Sequence, residues 1–457
     1  MKIYFIGIGG IGMSALAGIA LKSGHLVSGS DKEKTKITDS LKKLGAKIYI
    51  GHNQKNLPPD TESAVISQAI KKDNPELLEA RKLGIRIKDR SEYLGELMGV
   101  KKAIAVAGTH GKTTISSMIS VILKNSGLDP TVAVGGIIPE IENSNWRKGE
   151  SEFMVAEACE YRSSFLKLKP FITIISNIEE EHLDCFKNLD EIINVFSKFL
   201  MLTPENGFAV VNADDLNVKK ILDKNDFNFP VVTYGASEGE AEWKTENIRE
   251  ESGKVLFDIT KNNQKIDSFL IKIPGKHNAL NASAAVITTS KLGVNLKKIK
   301  ESLENFKGTV RRMEVKGEKK GVLVIDDYGH HPTEIRATLE AVKKFYPERR
   351  NLWVVFQPHQ YSRTKLLFED FAKSFPDADR LIVTDIYEVR DSKKDIKTVS
   401  SKILVEEINR INHQKALYIG SFENTASYLS KNVKEGDILL TIGAGPVYRV
   451  GELFLKK

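Results

Sequence analysis

The sequence predicts an α/β protein of three domains, each a mainly parallel sheet with helices on both faces. Three observations predict it. The strand-like runs are continuous and β-branched instead of alternating, as expected of strands covered on both sides. They alternate with segments of helical periodicity, the pattern of repeated βα units. And 457 residues are too many for one ordinary domain.

The first block, residues 1–99, reads KIYFIGIG, a helix around MSALAGIALKSG, then HLVSGSD, AKIYI, AVISQAI and IRIKD, and closes near Gly99. The second, residues 100–308, opens on the strand AIAVAG and continues through EFMVAEAC, FITIISNI and GFAVVNADD. It also holds a hairpin-rich stretch, VLFDITKNNQKIDSFLIKI, and a helix from His277. The third, residues 309–457, holds GVLVIDDYG, NLWVVFQP, RLIVTDIY, ALYIG and DILLTIGAG, each pair separated by a helix-length segment. That is a complete doubly wound repeat.

Composition narrows the class. Hydrophobic residues make up 41% and charged residues 28%, a globular balance. No apolar run approaches the roughly 20 residues that span a bilayer, so membrane insertion is not expected. The start, MKIYFIGIGG, lacks a basic region ahead of an apolar stretch with a small-residue cleavage site, which argues against secretion. Cys159 and Cys185 are the only cysteines, which suits a reducing compartment and points to the cytoplasm. The net charge of +8 is scattered over presumptive helix faces, and no recognition helix or aromatic-basic motif accompanies it. Nucleic acid is therefore not an expected partner.

The sharpest local feature is GTHGKTT, Gly108–Thr114, between the strand AIAVA and a helix with Ile115, Met118, Ile119 and Ile122 at helical spacing. Backbone N–H groups of Gly108, Thr109, His110, Gly111 and Thr114, with the helix N-terminus, make an anion cradle. Lys112 can place its charge on the terminal phosphates of ATP, and the Thr113 hydroxyl can bind magnesium. Val106 stands where a full phosphate-loop pattern has its first glycine. Magnesium prefers oxygen ligands. Glu157, ending the strand EFMVAEA, and His182, after FITIISNI, both emerge at the carboxyl edge that carries this loop. A capping acid and a loop histidine would also fit those two positions.

A second glycine turn, Gly7–Gly12, follows the strand KIYFI, with Asp31 at the distance expected of a ribose ligand. Gly9, Gly10 and Gly12 could serve a dinucleotide or any other pyrophosphate. Ser67, ending the strand AVIS, reaches a similar edge.

Six motifs then follow one another along the chain: GTHGKTT, AEACE (156–160), SNIEEEHLD (176–184), GKHNALNA (275–282), TVRRME (309–314) and DDYGHHPTE (326–334). Together they resemble the Mur ligases, over nearly the whole length from the N-terminal GIGGIGM to the C-terminal GAG. The resemblance implies a Rossmann-like first domain that binds UDP-N-acetylmuramate, a central ATPase domain with the phosphate loop, and a Rossmann-like third domain that binds the amino acid. It implies ATP-dependent ligation of L-alanine to the lactyl carboxylate through an acyl phosphate, releasing ADP and phosphate, in the synthesis of peptidoglycan precursor. It gives catalytic roles to Lys112, Glu157, His182 and Arg312, and places Thr113, Glu157 and His182 on magnesium, with manganese as an alternative. Asn278, Asn281, Arg312 and Asp327 are assigned to ATP. Tyr328, His330 and Arg363 are assigned to the amino acid, His359 to a pocket for the amino acid or the sugar carboxylate, and the glycine turn, Asp31 and Ser67 to the UDP-sugar. A monomer or homodimer is expected. Three other readings stay open here: a ligase that attaches a whole peptide to the same sugar, a nicotinamide dehydrogenase resting on the first glycine turn, and a non-catalytic nucleotide-binding module.

Overall fold

A computed structural model describes residues 1–182, 185–236, 241–251, 253–389, 391–412 and 416–456. The α/β class read from the sequence holds, in three sheets. The first comprises β1 (Lys2–Ile6), β2 (Leu26–Asp31), β3 (Lys47–Ile50), β4 (Ser63–Ile66) and β5 (Arg86–Asp89), in the order β3-β2-β1-β4-β5 and parallel throughout. Three helices connect strands within it, α1 (Ile11–Lys22), α2 (Lys36–Lys43) and α3 (Pro75–Lys82), and α4 (Arg90–Met98) follows β5. The order reverses between β1 and β4, and such a switch point leaves a crevice at the carboxyl ends of the strands. Strand β1 shows why its run is continuous: Ile3 and Phe5 enter one apolar cluster, Tyr4 and Ile6 the other.

The second sheet contains β6 (Lys102–Ala107), β7 (Thr131–Ile138), β8 (Ser144–Arg147), β9 (Phe153–Glu157), β10 (Ile172–Ile175), β11 (Phe208–Asn212), β12 (Val231–Gly235), β13 (Trp243–Glu251), β14 (Lys254–Lys261) and β15 (Gln264–Ile271). Their order is β15-β14-β13-β12-β11-β10-β6-β9-β7-β8. Strands β11, β10, β6, β9 and β7 are parallel, and β8 closes one edge antiparallel to β7. Helix α5 (Lys112–Asn125) follows β6, and α6 (Leu189–Leu200), α7 (Leu216–Lys224), α8 (Lys276–Lys291) and α9 (Leu296–Glu304) come later.

The third sheet has β16 (Glu314–Lys319), β17 (Val322–Asp327), β18 (Leu352–Phe356), β19 (Arg380–Val383), β20 (Leu417–Tyr418) and β21 (Ile438–Ile442), in the order β16-β17-β21-β18-β19-β20. All pairs are parallel except β16 with β17. Leu323 and Ile325 face one core, Val322 and Val324 the other. Helices α10 (Pro332–Phe345) and α11 (Tyr361–Leu366) follow β17 and β18.

Contacts group the chain into two compact units. One holds Met1–Asn247, Phe257–Phe269 and Leu280–Phe306; the other holds Ile248–Leu256, Leu270–Ala279 and Lys307–Lys457. Within the first unit, apolar packing runs across the boundary that the sequence suggests at residue 99. Phe5 and Leu16 share a cluster with Ala105, Ala156 and Phe165. Helix α1 lies so close to the β7–β8 hairpin that a Cβ on Gly18 would stand 2.2 Å from Trp146 Cζ2. Next to it the Asn145 amide donates to the Ile11 carbonyl at 2.8 Å and to the Val134 carbonyl at 3.3 Å. Among the described residues, no helix is long and apolar enough to cross a membrane.

Candidate active site

At the carboxyl edge of the first sheet, the glycine turn joins β1 to α1. Gly7 has φ +82°, a conformation that only a glycine adopts without strain, and Gly10 caps α1. The turn is closed by Asp31, whose Oδ2 accepts the Gly9 N–H at 2.8 Å. Ser67 follows β4 against Gly7, 3.3 Å from where its Cβ would be. Gly9, Gly10, Gly12, Asp31 and Ser67 are thus gathered at one edge. Asp31, besides facing the crevice edge, shapes the turn.

Behind β2, a buried carboxylate steadies the neighbouring loop. Glu76, at the start of α3, accepts from Tyr4, Ser30, the His52 ring, the Asn53 N–H and the Asn56 amide. Sequence patterning offers no hint of it, because its partners come from three separate segments.

The GTHGKTT loop leaves β6 at the carboxyl edge of the second sheet and enters α5. Gly108 and Gly111 have φ of +138° and +84°. The loop is clamped from β10: Asn177 accepts the His110 N–H through Oδ1 at 2.8 Å and the Thr109 N–H through its carbonyl at 2.9 Å. The Thr109 hydroxyl accepts from the Glu179 N–H at 2.8 Å. Asn281, on α8, borders the loop, its Oδ1 lying 2.6 Å from a Cβ built on Gly111. Its helical neighbour Asn278 behaves differently, for its amide donates back to the Pro274 carbonyl at 2.5 Å.

Lys112 lies folded over its own loop, donating to the carbonyls of Gly108 and Thr109 and to Glu160 Oε1 at 3.1 Å. Burial alone would push its pKa down, but the carboxylates of Glu160, Glu181 and Glu157 outweigh that and hold it above the ordinary lysine value. Thr113 Oγ1 donates to Glu157 Oε2 at 2.8 Å, and the Gly135 N–H reaches the same oxygen at 2.9 Å. A step away, Glu160, Glu181 and His182 bring ligand atoms within 4.8 Å of one another. His182 Nε2 stands 3.6 Å from Glu160 Oε1, its ring edge-on to Tyr161. Burial lowers the imidazole pKa, yet hydrogen bonding to Glu160 and the charge of Glu181 leave it raised. Glu160 Oε2 is buried and has no hydrogen-bond partner among the described residues. This oxygen-rich set fits a hard divalent cation such as magnesium. Sequence reasoning placed Thr113, Glu157 and His182 here and missed Glu160 and Glu181. The signal was present in the AEACE and EEEH motifs, but nothing in it told which acid turns inward.

In the second unit, Arg312 sits between two left-handed residues, Arg311 (φ +63°) and Met313 (φ +52°). The segment is fastened to the third sheet. Arg311 pairs with buried Asp326 at 2.9 Å and donates to the carbonyls of Gly443, Ala444 and Gly445. Asp327, at the end of β17, is tied to the backbone on both sides. Its Oδ2 accepts the Met313 N–H at 2.8 Å and its Oδ1 the Gly329 N–H at 2.7 Å, so this 5% exposed carboxylate anchors the backbone around Arg312. The Arg312 guanidinium lies 5.1 Å from the Tyr328 ring, and an aromatic series runs from Tyr328 to His330 (5.4 Å), His359 (6.1 Å) and Tyr387 (5.7 Å). His331 caps α10. Arg363 stands on α11, just beyond His359.

Comparison with known proteins gives consistent matches. Residues 2–102 match the Mur ligase family catalytic domain, 106–289 the Mur ligase middle domain, and 311–445 the Mur ligase glutamate ligase domain. The chain is 47% identical to the UDP-N-acetylmuramate–L-alanine ligase of Acetivibrio thermocellus, covering 99% of this chain and 95% of that one. It is also 47% identical to the ligase of the same name from Clostridium novyi, over 100% and 97%. Among solved structures, the UDP-N-acetylmuramate–alanine ligase of Thermotoga maritima superposes with a TM-score of 0.85 at 30% identity, covering 100% and 98%. A murein peptide ligase from Psychrobacter arcticus follows at 0.75 and 25%, with 100% and 98% covered.

Proposed function

The chain belongs to the Mur ligase family, and we propose that it joins L-alanine to the lactyl carboxylate of UDP-N-acetylmuramate at the expense of ATP, supplying peptidoglycan precursor. The observation that carries this reading is the loop at the carboxyl edge of β6, where Lys112, Thr113 and Glu157 converge. Residues 1–99 take the UDP-sugar, 100–308 take ATP and 309–457 take the amino acid. The enzyme works in the cytoplasm as a monomer or homodimer, with no nucleic-acid or membrane partner.

The lactyl carboxylate attacks the γ-phosphorus of ATP, ADP leaves, and an acyl phosphate forms. The amine of alanine, having lost a proton, then attacks the acyl carbon, and phosphate departs. Lys112 exchanges the loop carbonyls for phosphate oxygens and opposes the charge that builds on them; preorganised charge of this kind supplies much of the catalysis in phosphoryl transfer. The N–H groups of Gly108–Thr114 cradle the triphosphate, and Asn278 and Asn281 serve the nucleoside. Thr113, Glu157, Glu160 and His182 hold magnesium, or manganese in its place, which when bound neutralises phosphate charge. Arg312 adds a cation to the phosphates, and Asp327, which also pins Met313, holds the ATP ribose. Tyr328, His330, His359 and Arg363 hold the amino acid, and Gly9, Gly10, Gly12, Asp31 and Ser67 the UDP-sugar.

The test is phosphate release from ATP by the purified chain. Release should need UDP-N-acetylmuramate and L-alanine together. Release with neither, or with a tripeptide in place of alanine, would replace this reading by a nucleotidase or a peptide ligase.

A further inference from the structure

Arg90 is a cation with no counterpart. It is the first residue of α4, half-buried, and among the described residues it makes no hydrogen bond or ion pair. The acids beside it are engaged elsewhere. Asp89 accepts the Ser91 and Glu92 N–H groups, Glu92 returns a bond to the Asp89 N–H, and Lys167 pairs with both carboxylates. A positive charge in the first turn also opposes the helix dipole, so α4 gains nothing from it.

What the side chain does face is the glycine turn. A Cβ on Gly12 would stand 3.1 Å from both Arg90 Cδ and Nη1. The guanidinium charge also reaches the Cys159 thiol, two residues beyond Glu157, though burial and Glu160 act on that thiol more strongly. The position of α1 against the second sheet is held by the Asn145 bond to Ile11 and by the Trp146 contact with Gly18. A planar fork of five N–H donors thus stands beside the start of α1, whose own first N–H groups lack intrahelical partners.

We propose that Arg90 binds an oxyanion of the sugar nucleotide, either its diphosphate or the carboxylate of its sugar acid. This rests on the reading of the glycine turn as the sugar-nucleotide site. The guanidinium fork closes over the anion from the side opposite the turn, so the group is held between backbone N–H donors and a side-chain cation.

Calorimetric titration of the full chain with UDP, UDP-N-acetylmuramate and a non-hydrolysable ATP analogue tests this, using wild type, Arg90→Ala and Arg90→Lys. Loss of a charge-assisted fork should weaken sugar-nucleotide binding about ten- to hundredfold in the alanine variant, and lysine should recover part. Equal loss for both uridine ligands assigns the diphosphate; loss confined to UDP-N-acetylmuramate assigns the carboxylate. ATP-analogue affinity and the melting temperature of the free protein should not fall, which separates binding from folding; if alanine does unfold the chain, the lysine variant carries the comparison. Unchanged uridine-ligand affinity in both variants overturns the proposal, as does a loss seen for the ATP analogue alone. A wild-type chain that binds neither uridine ligand would instead sink the reading of the glycine turn.

Discussion

Replacing Gly18 by alanine probes how the first two sheets are held together. An alanine Cβ would lie 2.2, 2.3 and 2.7 Å from Trp146 Cζ2, Cε2 and Cη2. Carbon atoms rest at about 3.5–4.0 Å, so more than 1 Å of overlap must be absorbed. The indole cannot yield freely, because Asn145 beside it is bonded to α1 and β7. Overpacking of this severity costs about 3 kcal/mol, and the helix propensity of alanine over glycine returns about 1 kcal/mol. The net loss is about 2 kcal/mol, or a fall of roughly 4–8 °C in the melting of the first unit by scanning calorimetry. Trp146→Ala, removing a half-buried ring, should cost about 2 kcal/mol alone. In the double variant the overlap is gone and only the helix gain remains, so it should be about 1 kcal/mol more stable than Trp146→Ala. The resulting coupling is about 3 kcal/mol. Additivity of the two changes within about 0.5 kcal/mol would refute the contact.

Three further outcomes are expected. Lys112→Ala should lower the rate of phosphate release by at least about a thousandfold while leaving UDP affinity unchanged; a loss under tenfold in single-turnover assays would remove Lys112 from the phosphates. Glu76→Gln turns an amide donor toward groups that already donate, and should cost about 2–3 kcal/mol in thermal unfolding; a neutral result would mean that the network of Tyr4, Ser30, His52 and Asn56 does not form. Burial pushes the Asp326 carboxyl up to about 6, against the opposing pull of Arg311. The folded protein therefore keeps this proton where the unfolded chain, with a carboxyl near ~4, has lost it. Its contribution is complete below about pH 4, declines as pH rises and levels off above about pH 6. Urea titrations between pH 4 and 7, read at Trp353 in a chain lacking the other two tryptophans, should show that slope, and Asp326→Asn should flatten it. Identical slopes would show that the carboxyl is already ionised at pH 4.

The legible parts were contiguous ones. A continuous β-branched run declares a strand covered on two faces, as β1 and β17 show, because both alternate sets of side chains must be apolar. The GTHGKTT turn and the first glycine turn declare themselves because a strand-to-helix turn is a short-range object, built from consecutive N–H groups and the φ angles that glycine permits. The fold class, the order of the βα units and the two glycine turns therefore follow from segments of a few residues each.

Other assignments depended on side chains from distant segments, and there patterning is silent. Nothing in DDYGHHPTE says that Asp327 turns back onto Met313, and nothing in AEACE says that Glu160 meets Lys112 while Glu157 meets Thr113. Gly18 looks like a helix defect until Trp146, far along the chain, is found against it. Arg90 looks like any surface arginine until Lys167 is seen to occupy its neighbours Asp89 and Glu92. Local backbone geometry is settled by steric and hydrogen-bonding rules that act over a few residues. The direction a charged side chain takes is settled by competition among every partner the folded chain brings within reach, and only the assembled layers reveal who those partners are.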